Sequence, residues 1–135
     1  GMEPYTTVED FLNNLKNDRD TVNVYEKTET EIVSIDDIIK TRYIVKLSIN
    51  GTVYDQLVLV VKGDINGDGY ITVADINKSK NEISGKIEFD EIEKAATDIN
   101  IDTYNTVADI NKMKNYISGK INTLNTDLYE KNSKK

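Results

Sequence analysis

The sequence predicts a small α+β unit, one helix against antiparallel strands, followed by an all-α unit of three helices. Three observations lead there. A hydroxyl-capped apolar stretch opens the chain at Thr6 and Thr7. A strong two-residue turn, Asn50-Gly51, joins two runs rich in β-branched residues. From residue 64 onward, a loop-and-helix segment recurs 34 residues later.

The first unit spans residues 1–62. Thr6-Thr7-Val8-Glu9-Asp10-Phe11-Leu12 places a hydroxyl cap and two acids ahead of Val8, Phe11, Leu12 and Leu15 at helical spacing. Val22 and Val24 read as a short strand, and Ile32-Val33 as another. Tyr43 to Ser48 and Thr52 to Val61 alternate or run apolar, which is the strand period. Asn50-Gly51 between them suits the tight hairpin turn, where both central residues need positive φ. No stretch rich in Pro, Gly or Ser follows; Lys62-Gly63 leads straight into Asp64. The two units are therefore expected to pack as one body.

The second unit spans residues 63–122, and residues 123–135 form a polar tail. Each repeat is a twelve-residue loop followed by a helix. Thr72 and Thr106 are candidate N-caps with Asp75 and Asp109 three residues on, the capping-box spacing. Ile76 with Ile83, and Ile110 with Met113 and Ile117, share a helical face. Both helices close at Ser-Gly-Lys, a C-terminal glycine beside a cation. A third helix, about Phe89 to Thr97, joins the repeats.

The loops carry the chemistry. The first holds Asp64, Asn66, Asp68, Tyr70, Thr72 and Asp75 at places 1, 3, 5, 7, 9 and 12; the second holds Asp98, Asn100, Asp102, Tyr104, Thr106 and Asp109. Side-chain oxygens at five of these places, with a Tyr carbonyl at the seventh, wrap a flexible chain round one hard cation. The loops are thus expected to be EF-hand-like calcium sites. Mutual repulsion among the carboxylates should couple metal binding to folding. Gly69 stands where the chain turns with φ > 0, whereas the second loop has Thr103 there. A β-branched residue in that conformation costs roughly 1–2 kcal/mol. Two calcium sites are expected, the second weaker. Asn105 also replaces the apolar residue that would pair with Ile71.

Composition narrows the function. The net charge is −7 with 30% charged residues, which argues against nucleic acid and anionic membrane surfaces as partners. No apolar run is long enough to cross a bilayer. The chain contains neither cysteine nor histidine, so a thiolate nucleophile, the usual general base and the usual zinc ligands are absent. Acid pairs such as Asp36-Asp37 or Glu91 with Glu93 lack a pocket signature. The expectation is a protein that is not an enzyme.

The run Gly63-Asp-Ile-Asn-Gly-Asp-Gly-Tyr-Ile-Thr-Val-Ala-Asp75, the helix after it, and the copy ending at Asp109 resemble a type I dockerin. The resemblance covers residues 63–121. It implies three helices with two calcium sites and a cohesin domain as partner. Such pairings assemble cellulosome-like, glycan-degrading or cell-surface complexes outside bacterial cells. Residues 7–62 are similar to segments that precede dockerins in some Gram-positive surface proteins, which implies no activity. By the resemblance, partner recognition falls on Val73, Ala74, Lys80 and Asn81 in the first repeat and on Val107, Ala108, Lys114 and Asn115 in the second. Val-Ala replaces the Ser-Thr pair common in one specificity group, so the contact should be more apolar. Matching copies allow a partner to bind in two orientations related by a half-turn. The unbound chain is expected to be a monomer. The competing readings are a calcium-stabilised structural end-module with no cohesin partner, and core packing rather than recognition for Val73 and Val107.

Overall fold

The computed structural model describes residues 1–101 and 103–124. Of the polar tail expected over residues 123–135, residues 125–135 lie outside them. The element order is helix α1 (Val8–Asn13), strands β1 (Val22–Tyr25), β2 (Ile44–Ile49) and β3 (Thr52–Val58), then helices α2 (Val73–Ile83), α3 (Glu91–Thr97) and α4 (Val107–Ile117).

The first unit forms as its pattern dictates. Thr7 caps α1 by accepting the Asp10 N–H, and Val8 and Leu12 are buried beneath it. The three strands form one antiparallel sheet in the order β1-β2-β3. The β2–β3 connection is the expected tight hairpin, with Ile49 opposite Thr52 and φ of 52° at Asn50 and 80° at Gly51. The register shifts at a bulge between Leu47, opposite Asp55, and Ser48, opposite Val53.

Two strand expectations change. Ile32-Val33 does not form a strand; it leaves a single bridge from Ile32 to Tyr25. The Glu26 carboxylate accepts the N–H groups of Thr28 and Thr30, and this local turn consumes the residues that would have extended the pairing. The run expected to reach Val61 leaves β3 at Val58. Val61 instead bridges Met2 in parallel, with Met2 N–H donating to Val60 O and Lys62 N–H to Met2 O.

Among the described residues there are two hydrophobic cores. The first gathers Val8, Leu12, Val22, Val24, Ile39, Val45, Leu59 and Val61. The second gathers Ile65, Ile76, Phe89, Ala96, Ile99, Ile110, Met113 and Leu124. Leu124 thus packs into the second core, and its N–H donates to a Glu3 carboxylate oxygen. Helices α2 and α4 pack together, each capped by its Thr-Asp box. Both close as expected, with Gly85 and Gly119 at φ 82°. Lys86 and Lys120 N–H then donate back to the Asn81 and Asn115 carbonyls. Ile83 and Ile117, read as sharing a helical face with Ile76 and with Ile110 and Met113, are 42% and 41% exposed while those residues are buried. Each is the last residue of its helix, and so projects past the shared core.

Candidate metal centres and docking face

Loop one is built by its own carboxylates. Asp64 is fully buried; its Oδ2 accepts the N–H groups of Thr41 at 2.9 Å and Gly69 at 3.1 Å. Asn66 Oδ1 accepts from Asp68 N–H at 3.2 Å, and Asp68 Oδ1 accepts from Tyr70 N–H at 2.8 Å. Asp75, also fully buried, accepts Ile65 and Asn66 N–H on Oδ1 and Thr72 N–H on Oδ2. One acidic residue thereby closes the loop and caps α2. Gly67 and Gly69 take φ of 76° and 86°, so the chain can double back inside a few residues.

The electrostatics are unfavourable for bare carboxylates. Burial is the main force raising the Asp75 pKa, to about 6, with Asp64 adding to it against the opposing backbone N–H groups. The Asp64 carboxyl is raised for the same main reason, and Asp68 adds to it. Asp64 Oδ1 is buried with no hydrogen-bond partner. A buried, unpartnered carboxylate oxygen is costly unless a cation faces it. That orphan and the all-oxygen donor set fit a hard divalent ion. Among the described residues no three acidic side chains converge as a ready cage. Asp64, Asp68 and Asp75 each accept backbone N–H groups, which fixes their carboxylates around the loop.

Loop two repeats this scheme. Asp98 Oδ2 accepts Thr103 N–H at 2.9 Å, as Asp64 accepts Gly69. Asp109 is buried and accepts Ile99 and Asn100 N–H on Oδ1 and Thr106 N–H on Oδ2. Asp102 lies outside the described residues. Thr103 does adopt positive φ, 70°, and so does Ile101, at 61°. Sequence reasoning missed Ile101, although its alignment with Gly67 carried the signal. Asn105 bonds to helix α2. It donates to Glu82 Oε1 and accepts from Ser79 Oγ at 2.7 Å, so a polar pair replaces an apolar one. The Tyr70 and Tyr104 rings are 54% and 69% exposed.

Six of the eight expected recognition residues are exposed. Val73 and Val107 are each 60% exposed, which removes core packing as their explanation. Ala74, Ala108, Lys80 and Lys114 are exposed and Asn81 and Asn115 half-buried. Ile83 and Ile117 add apolar area at the helix ends. Ile71, just before α2, lines one groove with Tyr116 and Ile117 at the end of α4. Asn105, just before α4, bonds near the end of α2. The two helices therefore lie head to tail, and each end of the face joins one repeat's start to the other's finish.

No curated protein and no solved structure gave a significant match. A family model does match, and type I dockerin domains are in general calcium-binding docking modules whose partner is a cohesin. Residues 62–118 match the model of the dockerin type I domain, which bears out over that segment the resemblance read from the sequence.

Proposed function

We propose that residues 63–122 are a non-catalytic, calcium-dependent docking module of three helices and two EF-hand-like loops. Its partner is a cohesin domain, and the setting is a bacterial extracellular or cell-surface assembly, of the glycan-degrading kind. Residues 1–62 are its companion unit. The observation that carries the reading is the dockerin match over residues 62–118. The exposed, duplicated Val-Ala face of α2 and α4 supports it.

Asp64, Asn66, Asp68, the Tyr70 carbonyl, Thr72 and Asp75 would hold the first ion. Asp98, Asn100, Asp102, the Tyr104 carbonyl, Thr106 and Asp109 would hold the second. Bound calcium supplies positive charge among carboxylates that otherwise repel. The protein's own contribution is to hold each loop against its helix: Asp75 and Asp109 fix the loop's start and the helix cap at once. The orientation of Val73, Ala74, Lys80 and Asn81, and of Val107, Ala108, Lys114 and Asn115, thus depends on the loops.

The test is a pair of charge insertions read by calorimetry against a panel of cohesin domains in calcium. Val73→Asp or Val107→Asp alone should leave binding within about tenfold, since the other orientation remains. Both together should abolish it, as a buried unpaired charge at an interface does. Loss of binding from Val73→Asp alone would remove the two-orientation reading. Retention of binding by the double variant would remove this face as the docking surface.

A further inference from the structure

We propose that residues 38–41 of the first unit form the outer wall of the first calcium loop. In this arrangement the Thr41 backbone N–H is a positioning donor that sets the Asp64 carboxylate. The inference rests on the calcium reading above and gives the first unit a role: ion binding in loop one and the seating of the two units on each other are linked.

Three observations carry it. First, the buried Asp64 carboxylate accepts N–H groups from both units, Gly69 within its own loop and Thr41 across the joint. With Oδ2 held between these two donors, the unpartnered Oδ1 is fixed in direction. Thr41 is itself anchored, its hydroxyl accepting Val61 N–H at 3.0 Å and donating to Val61 O at 3.3 Å.

Second, the wall touches the loop where glycine stands. A Cβ on Gly69 would lie 2.9 Å from Lys40 Cγ and 3.0 Å from Ile38 Cδ1, and one on Gly67 would lie 3.2 Å from Thr41 O. In loop two the matching places are Ile101 and Thr103, with the same sign of φ and exposed side chains. Positive φ favours glycine in both loops, and in loop one the close approach of the first unit is a second reason for it.

Third, the joint is bonded again on the loop's far side. Ile71 N–H donates to the Tyr5 hydroxyl at 3.3 Å, and the Tyr5 ring stacks near Tyr116 and tilts against Tyr70.

If the ion and the first unit both act on Asp64, each must strengthen the other by the same factor. The test is amide hydrogen exchange and calcium titration followed by NMR on the full chain. Gly69 and Thr103 N–H report loops one and two, because each donates to its loop's first Asp. Calcium should slow exchange at Thr41 and Ile71 at least about tenfold, the factor that 1.4 kcal/mol supplies. Val33 N–H, bonded to Val24 O within the first unit, should not change. In the double variant Ile38→Ala, Lys40→Ala, the dissociation constant read at Gly69 should rise several-fold while that read at Thr103 stays fixed. If Gly69 responds to calcium but Thr41 exchange does not, the linkage is wrong and the calcium reading stands. If neither Gly69 nor Thr103 responds, both fail. Equal weakening at both reporters in the double variant would mean general destabilisation, and would overturn the wall.

Discussion

Thr103→Gly should stabilise the chain and tighten its second loop. Thr103 sits at φ 70° with an exposed side chain, and its N–H donates to Asp98. A β-branched residue there costs roughly 1–2 kcal/mol. Glycine removes that cost and keeps the backbone donor, but loosens the unfolded chain by about 0.5–1 kcal/mol. The net gain lies between about 0 and 1.5 kcal/mol and centres on about 0.75 kcal/mol, which for a chain of this size is about 2–4 °C in Tm. Any part of the strain that is shed when the loop is empty reappears as affinity, up to about tenfold per 1.4 kcal/mol. Thermal unfolding at saturating calcium reads the first quantity, and titration followed at residue 103 reads the second. A lower Tm with unchanged affinity would refute the reasoning, since the left-handed conformation would then be held without strain.

The remaining predictions concern the loops and the core. Asp64→Ala or Asp68→Ala should lower the calcium-saturated Tm more than Asp102→Ala, because loop one carries the joint between the units; equal shifts would contradict the ranking of the sites. Calcium-free protein should respond to pH through Asp75. Its folded pKa, about 6, lies above the ordinary 3.8, so the native state holds the proton more tightly. The stability from this group is full below about 3.8 and lost as pH rises through 6. Melting in chelator should therefore fall between pH 5 and 7, while calcium affinity falls in the opposite direction as protons compete. Met113→Ala, at a side chain with no exposure, should cost about 2–5 kcal/mol by urea unfolding. Ser79, its counterpart in α2, bonds to Asn105, so Ser79→Ala should cost about 1–2 kcal/mol by the same measurement.

The parts of the fold legible in the sequence are those where local chemistry decides. The Thr7, Thr72 and Thr106 caps, the Asn50-Gly51 turn and the glycines that close α2 and α4 each depend on a few adjacent residues. What escaped notice depends on tertiary context. Ile83 reads as core by periodicity and becomes surface because its helix ends there. Leu59 to Val61 reads as more of β3, yet Val61 pairs with Met2, which no local pattern encodes. The oxygen-bearing residues of the loop were visible from spacing alone, but the Thr41 bond to Asp64 was not, since it joins residues 23 apart through a backbone N–H that has no sequence signature. Val73 and Val107 show the limit from the other side. Their residue type allowed both a core and a surface position, and only the structure shows them exposed.

The central claim is that this chain docks a cohesin through a calcium-dependent fold. The most direct measurement immobilises the full chain and measures equilibrium binding of cohesin domains from the same organism, in calcium and again in chelator. The account predicts at least one cohesin retained in calcium and released when the ion is removed. Binding that is indifferent to chelator would contradict the calcium dependence. If calcium stabilises the fold but no cohesin is retained, docking is contradicted and the second unit is left as a structural end-module.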